Sequence, residues 1–240
     1  MAYRCYGVGH LMASEEGKIA VGYPAGSGYP IAFSVVYPES LSRWKGAQRA
    51  AGALITWIVS AGLGYVSAVF SIGLPFPFGP WAIIGLPIAL GVISVPIFLA
   101  MRIRAKGLRR FQAEDGPALE RYAEFAIASA SYALFLTDDS PRQAIGESVR
   151  LEVRRGGSFG WLRAAITPLL LLPHILLLAV FGFAFTLIVP VSAVAAIVFR
   201  RYPRWLFGFT VGYLRWIARA LGYWISLTDR YPPFSFTEEA

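Results

Sequence analysis

Two long stretches without a charged residue limit what this chain can fold into. No Asp, Glu, Lys or Arg occurs in the 52 residues from Ala50 to Met101, or in the 36 residues from Ala164 to Phe199. A helix needs about 20 apolar residues to cross the hydrocarbon core of a bilayer, so each run is longer than one crossing. Because the chain is also 56% apolar and 15% charged, the runs predict an integral membrane protein.

The first run is predicted to form a helical hairpin. The sequence "GLPFPFGPW" from Gly73 to Trp81 contains three prolines and two glycines, which interrupt a helix. We therefore predict membrane helices over Ala50–Ile72 and Trp81–Met101. Small residues suited to close helix contacts lie in these two segments: Ser60, Gly64, Ala68, Gly85 and Ala89.

The second run is short for a hairpin, since two crossings would leave about 17 or 18 residues each. We predict helices over Phe159–Phe181 and Ala184–Phe199, either as two full crossings or as a tilted or re-entrant pair. All 22 Lys and Arg residues lie outside the two runs, so paired crossings place every one of them in the cytoplasm. Both termini and residues 102–163 are accordingly expected on the cytoplasmic side.

The N-terminal segment, residues 1–29, is predicted to be flexible and cytoplasmic. It has no continuous apolar stretch of the length found in signal peptides. Cys5 is the single cysteine, which excludes an intramolecular disulfide and a cysteine metal cluster.

An internal repeat divides the remaining chain into two units, residues 30–146 and 147–240. With an offset of 91 residues, 109–141 align with 200–232 without a gap, and "LTDDSP" recurs as "LTDRYP". Each unit has a short alternating strand, a hydrophobic hairpin, an amphipathic helix and a Thr-Asp turn. The predicted fold is therefore mainly α, with two repeated units; a chance match is the alternative.

The amphipathic helices are predicted over residues 117–135 and 204–226. On a helical wheel of the second, basic residues face one side and large apolar residues the other, which is typical of a helix in the headgroup plane. The alternative is a cytoplasmic helix packed on its repeat partner. Candidate contacts to lipids or a partner are Arg201, Arg204, Arg215, Trp216, Arg219 and Trp224.

The Thr-Asp turns are predicted to anchor these helices, because an aspartate in a turn can accept backbone N–H bonds. Asp229 could also pair with Arg201, Arg215 or Arg230, and a headgroup or ion site is the alternative. His174, the one ionisable group inside the runs, is expected to bond a carbonyl freed by Pro173 or the interface, with a proton or metal role as the alternative. The candidate structural anchors are Thr137, Asp138, His174, Thr228, Asp229, Arg230, Tyr231 and Pro232.

Residues 200–235, "RRYPRWLFGFTVGYLRWIARALGYWISLTDRYPPFS", closely resemble the hallmark of an uncharacterised bacterial membrane family, domain of unknown function 4389. "LPHILLL" from Leu172 to Leu178 is similar to the Pro-His pair of that family. The first unit carries only a degenerate form, with "RRFQAED" and "TDDSPR". The resemblance implies a multi-pass protein of the bacterial cytoplasmic membrane and supplies no activity.

Two classes of function remain. The sequence has no phosphate loop, nucleophile elbow or metal-ligand spacing, so we expect neither an enzyme nor a cofactor or metal site. The favoured class is a structural or accessory subunit of a larger membrane assembly, and the alternative is a lipid-binding or lipid-transport protein. Expected partners are anionic membrane lipids and other membrane subunits or a second copy; the net charge of +8 suits an anionic leaflet, and nucleic acid is not expected.

Overall fold

The computed structural model describes residues 4–6, 11–13, 19–21, 29–52 and 81–236. This part of the chain is mainly helical, as predicted. Its helices are α1 (residues 43–52), α2 (Trp81–Lys106), α3 (Leu108–Glu114), α4 (Gly116–Ala133), α5 (Pro141–Ala144), α6 (Trp161–Leu170), α7 (Leu172–Val194), a π-helix (Ala195–Phe199) and α8 (Arg204–Trp224). Its strands are β1 (Arg4–Tyr6), β2 (Leu11–Ala13), β3 (Ile19–Val21), β4 (Ile31–Val36) and β5 (Val149–Val153).

The strands form one antiparallel sheet in the order β1-β2-β3-β4-β5. β4 and β5, one from each predicted unit, pair with Ile31 opposite Val153 and Val35 opposite Val149. Alternate residues of both strands are buried, as their period-2 sequence predicts. The prediction of a flexible segment before residue 30 missed β1, β2 and β3, because three-residue strands are too short to show that period.

The first hydrophobic run is described in part. Residues 50–52 are helical, α2 begins at Trp81 as predicted, and 53–80 lie outside the described residues. Thus the predicted helix 50–72 is largely outside them, as are the small residues before residue 81. α2 continues past Met101 to Lys106, where Arg104 and Lys106 complement the negative end of the helix dipole.

The predicted division of the second run is wrong. α7 is continuous from Leu172 to Val194, across the expected turn at residues 182–183, and the break with α6 lies at Leu171. Pro173 occupies the first turn of α7, where proline costs no helical hydrogen bond. The interruption therefore falls next to this proline and not at the midpoint of the run.

α8 is a largely buried helix that packs on β4 and on α4. A Cβ atom added to Gly222 would lie 2.0 Å from Cδ1 of Ile31, so this glycine permits the close approach of α8 to the sheet. α8 also contacts α7, because the Tyr213 hydroxyl donates to the Leu178 carbonyl at 3.1 Å. α8 packs on α4, the helix with which the sequence alignment pairs it, whereas its predicted place in the headgroup plane stays a prediction.

The outer face of α6 and α7 is apolar. Within the described residues, the helical segment Trp161–Leu178, with a mean hydropathy of 1.7, is the one long and apolar enough to cross a membrane. Only 22% of it is buried. Its exposed side chains are Trp161, Leu162, Ile166, Leu169, Leu172, Ile175, Leu176 and Leu177.

Candidate functional site

The two Thr-Asp turns have the same backbone conformation. Phe135, after α4, and Ser226, after α8, both adopt the left-handed region, with φ of 62° and 61°. The following amides close each helix: Leu136 N–H donates to the Ser131 carbonyl at 3.0 Å, and Leu227 N–H to Gly222 at 2.9 Å. The residues of each pair are 91 positions apart, as in the sequence alignment.

The threonines of the two turns also make matching bonds. Thr137 Oγ1 accepts from the Asp139 N–H at 3.1 Å, and Thr228 Oγ1 accepts from the Arg230 N–H at 3.2 Å. Both threonines are buried. Each side chain therefore fixes the backbone of its own turn.

Each turn aspartate binds the backbone of a loop that leads into one of the two hydrophobic runs. The Asp138 carboxylate accepts from the Ser42 N–H, just before α1. The Asp229 carboxylate accepts from the Ser158 N–H at 3.2 Å, just before α6. The predicted pairing of Asp229 with an arginine at 201, 215 or 230 is absent from the described residues, because this carboxylate bonds to loop backbone instead.

An arginine that sequence reasoning missed lies beneath each turn. Arg49 donates to the Tyr132 and Thr137 carbonyls at 3.0 and 2.9 Å and stacks 4.4 Å from the Tyr132 ring. Arg163 donates to the Thr228 carbonyl at 2.6 Å and stacks 3.8 Å from the Tyr223 ring. The sequence feature that could have identified both arginines as site residues is their position close to the start of a hydrophobic run.

The two arginines differ in their anionic partner. Arg49 forms an ion pair with Asp138, in which the side chains are 7% and 19% exposed. Among the described residues, no carboxylate lies within ion-pair distance of Arg163, and its buried Nε and Nη1 atoms have no acceptor. Within the part of the chain that the structure describes, the first arginine is thus ion-paired with a carboxylate and the second is not.

The position of Asp229 requires a residue without a side chain at position 157. Gly157 has φ of +103°, and a Cβ atom there would lie 2.2 Å from Asp229 Cγ. Both the backbone conformation and the space therefore favour glycine at this position.

The C-terminal strap, which we define as residues Tyr231–Phe236, lies across α7 and α8. The ring of Phe234 stacks on His174 with centroids 4.0 Å apart and an interplanar angle of 3°. The Tyr231 hydroxyl donates to the Leu170 carbonyl at 2.9 Å. Pro232 within the strap is buried. The strap thus fastens the end of α6 to the start of α7.

His174 accepts a hydrogen bond from Trp216, whose Nε1 lies 2.9 Å from His174 Nδ1. An indole N–H can only donate, so Nδ1 carries no proton and the neutral imidazole holds its proton on Nε2. His174 is fully buried, and Nε2 has no acceptor in the described part of the chain. The predicted bond to a freed carbonyl is not seen in the described residues: the ring accepts from Trp216 at Nδ1, and Nε2, the nitrogen able to donate, has no acceptor there.

Arg215 and Arg219 bind the strap and do not face outward. Their Nη1 atoms donate to the Phe236 carbonyl at 2.9 Å and to the Ser235 carbonyl at 3.4 Å, and the residues are 6% and 1% exposed. Burial, with a smaller contribution from Arg219, lowers the pKa of Arg215 to about 9, which leaves it protonated at neutral pH. The outward orientation expected for these two arginines is wrong, since strap carbonyls take their donors.

The other candidate contacts occupy different places. Arg201 and Arg204 are exposed, as expected for contacts to lipids or a partner. Trp216 is buried beside His174. Trp224 is partly buried and donates from Nε1 to the Val92 carbonyl of α2 at 3.0 Å. Exposed Arg230 lies over Tyr29.

Together these features define a mainly helical protein in which two similar turns and a C-terminal strap fasten apolar helices to a small sheet. Residues 161–235, from the start of α6 into the strap, match the family described as Domain of unknown function (DUF4389). This match confirms the family resemblance for that segment. No curated protein and no solved structure matches the chain.

Proposed function

We propose that this chain is a non-enzymatic, multi-pass protein of the bacterial cytoplasmic membrane that acts as a structural or accessory subunit of a larger membrane assembly. One observation carries the proposal: the polar residues of the candidate site bind one another and the chain's own backbone. Thr228, Asp229, Trp216, Arg215 and Arg219 all hold the turn, the loop or the strap. The hydrogen bonds of these side chains therefore hold the helices of the chain together.

We further propose that the two units arose by duplication. The support is the matching hydrogen bonds of the two turns and the matching loops held by Asp138 and Asp229. Antiparallel pairing of β4 with β5 is the arrangement expected when two similar units are related by a local two-fold axis. Two copies of an ancestral protein with one unit would then have paired as the two units do in this chain.

The ends of the two hydrophobic runs support a shared membrane side. Leu41 N–H, before the first run, donates to the Arg200 carbonyl, after the second, at 2.9 Å. Arg104, after the first run, stacks 5.0 Å from Trp161, at the start of the second. β4 and β5 lead into the runs from one sheet, which supports the proposal that each run returns to the side of the membrane that it left. This favours placing both termini and residues 102–163 in the cytoplasm.

The apolar outer face of α7 is the surface proposed to meet the bilayer and neighbouring subunits. Leu176 and Val180 are 66% and 67% exposed on it. A photo-crosslinking residue at Leu176 should yield one discrete protein adduct in cells if a subunit binds there. The same residue at exposed Arg142, on α5, is the matched control and should not give that adduct. Native mass spectrometry after mild-detergent purification should show the same partner in a fixed ratio.

A lipid-binding function is the second candidate, and exposed aromatic and basic residues favour it. Trp44, Phe199 and Trp205 are 72%, 70% and 74% exposed, close to exposed Arg201 and Arg204. Such a mixture is typical of a membrane interface that attracts anionic lipids. Lipid adducts in a fixed ratio without a protein partner would support this function over the accessory role.

A further inference from the structure

The C-terminal strap covers the side chain of His174. The rings of Phe234 and Tyr231 lie against the imidazole, with centroids 4.0 and 4.9 Å from its centre. His174 is fully buried, whereas Phe234 and Tyr231 are 53% and 42% exposed. A single layer of strap residues therefore lies over the imidazole, and detaching the strap would expose the ring.

His174 accepts a hydrogen bond from a group that can only donate. Trp216 Nε1 lies 2.9 Å from His174 Nδ1, so the neutral imidazole carries its proton on Nε2. A second proton can be added only at Nδ1. The charged ring would then direct an N–H at the indole N–H, and two donors that face each other at this distance repel. The observed arrangement of the strap thus requires a neutral imidazole.

The stack on Phe234 acts in the opposite direction, because an aromatic face attracts a cation. The two rings are parallel within 3°, so Phe234 contacts the face of the imidazole and not its N–H edge. The stack therefore supplies no acceptor for a proton on Nδ1. Burying a charged ring while one of its donors has no acceptor costs more than the attraction of one aromatic face returns.

No other side chain around the imidazole changes its charge near neutral pH. α7 has no charged or titratable residue besides His174. The charged and titratable residues on the strap, on α6 and on residues 213–223 of α8 are arginines and tyrosines, which keep their protonation states between about pH 5 and pH 7: Tyr231, Arg163, Tyr213, Arg215, Arg219 and Tyr223. In the described part of the chain, the contacts of His174 include no carboxylate that would stabilise its charged form.

The geometry points to a pH-sensitive strap, in which protonation of His174 releases residues 231–236 from α7. The released state binds one more proton than the closed state, so acid favours release. An exposed histidine titrates with a pKa of about 6.5. The ratio of released to closed chains should therefore rise about 25-fold from about pH 7 to pH 5, and it should change little above pH 7.

The test uses the full chain in a neutral detergent, with para-fluorophenylalanine in place of Phe234. The fluorine resonance distinguishes a ring stacked on His174 from a released ring, so the signal areas give the two populations at each pH. The ratio should follow the increase stated above. His174→Gln is the matched control, because its amide oxygen can accept from Trp216 without titrating. Its populations should not depend on pH.

The protonation of His174 is measured in the same samples by the nitrogen chemical shifts of isotope-labelled histidine. His10→Gln leaves His174 as the one histidine of the chain. The proposal is overturned if the imidazole becomes charged while Phe234 stays stacked, if the fluorine signals are the same at both pH values, or if His174→Gln shows the same pH dependence. The first two outcomes are read with His174 in place, so they decide the question even if His174→Gln does not fold. Because the isolated chain is measured, the result is independent of any partner subunit and of the proposed accessory function.

Discussion

At the scale of single residues, the strap depends on a small number of side chains with specific partners. His174 gives the Trp216 indole its acceptor and offers the Phe234 ring a flat surface. Each contact joins residues that are far apart in sequence, so neither could be predicted from local pattern. What the sequence could indicate was that a histidine alone in an apolar run would need a partner.

His174→Phe should destabilise the protein while preserving a ring for Phe234. The change leaves the buried Trp216 N–H without an acceptor, which costs about 1–3 kcal/mol. Thermal unfolding in detergent measures the loss. The double variant His174→Phe with Trp216→Phe should cost less than the sum of the two single variants, because both hydrogen-bonding groups are then removed. Strict additivity would contradict the hydrogen bond.

Gly157→Ala should destabilise the second turn more than Gly160→Ala in the same loop. Gly157 has a positive φ, and a Cβ atom would strike Asp229, whereas Gly160 has φ of −89° and open space around it. Strain of this kind costs about 1–3 kcal/mol. Unfolding midpoints of the two variants provide the comparison, and equal midpoints would show that the Asp229 contact is not maintained.

At the scale of elements, the positions of α2, α4, β4, β5 and α8 could be predicted, because period, proline and charge mark their limits locally. The burial of α8 could not be predicted in this way. Its arginines suggest an exposed face on a helical wheel, but Arg215 and Arg219 donate to strap carbonyls that follow 21 and 16 residues later. The break at Leu171 was missed for a different reason: no glycine marks it, and Pro173 was interpreted only through its effect on His174.

The two turn aspartates give a matched pair of variants. Asp138→Ala should cost about 2–4 kcal/mol, because it leaves the largely buried Arg49 without its anion. Asp229→Ala should cost about 1 kcal/mol, since this exposed carboxylate is held by one backbone N–H within the described residues. Chemical unfolding measures both. A larger loss for Asp229→Ala would contradict the difference in pairing between the turns.

At the scale of the whole molecule, the described residues form one sheet with helices packed on it, and the outer face of α6 and α7 is apolar. The predicted family and the mainly helical fold were accessible from the sequence, because the hallmark of the second unit and the composition are both strong signals. The pairing of β4 with β5 was not accessible from the sequence, since no local pattern identifies strand partners that are more than 110 residues apart. The number of membrane crossings stays a prediction.

The most direct test of the account is the side of the membrane on which each part of the frame lies. In a Cys5→Ser background, single cysteines replace exposed Glu39 and Glu147, which flank the paired strands, and Gly79, which lies outside the described residues. With an impermeant maleimide on intact cells, we expect labelling at position 79 only, and labelling at 39 and 147 after lysis. Labelling of position 147 but not 39 in intact cells would contradict the paired return of the two runs.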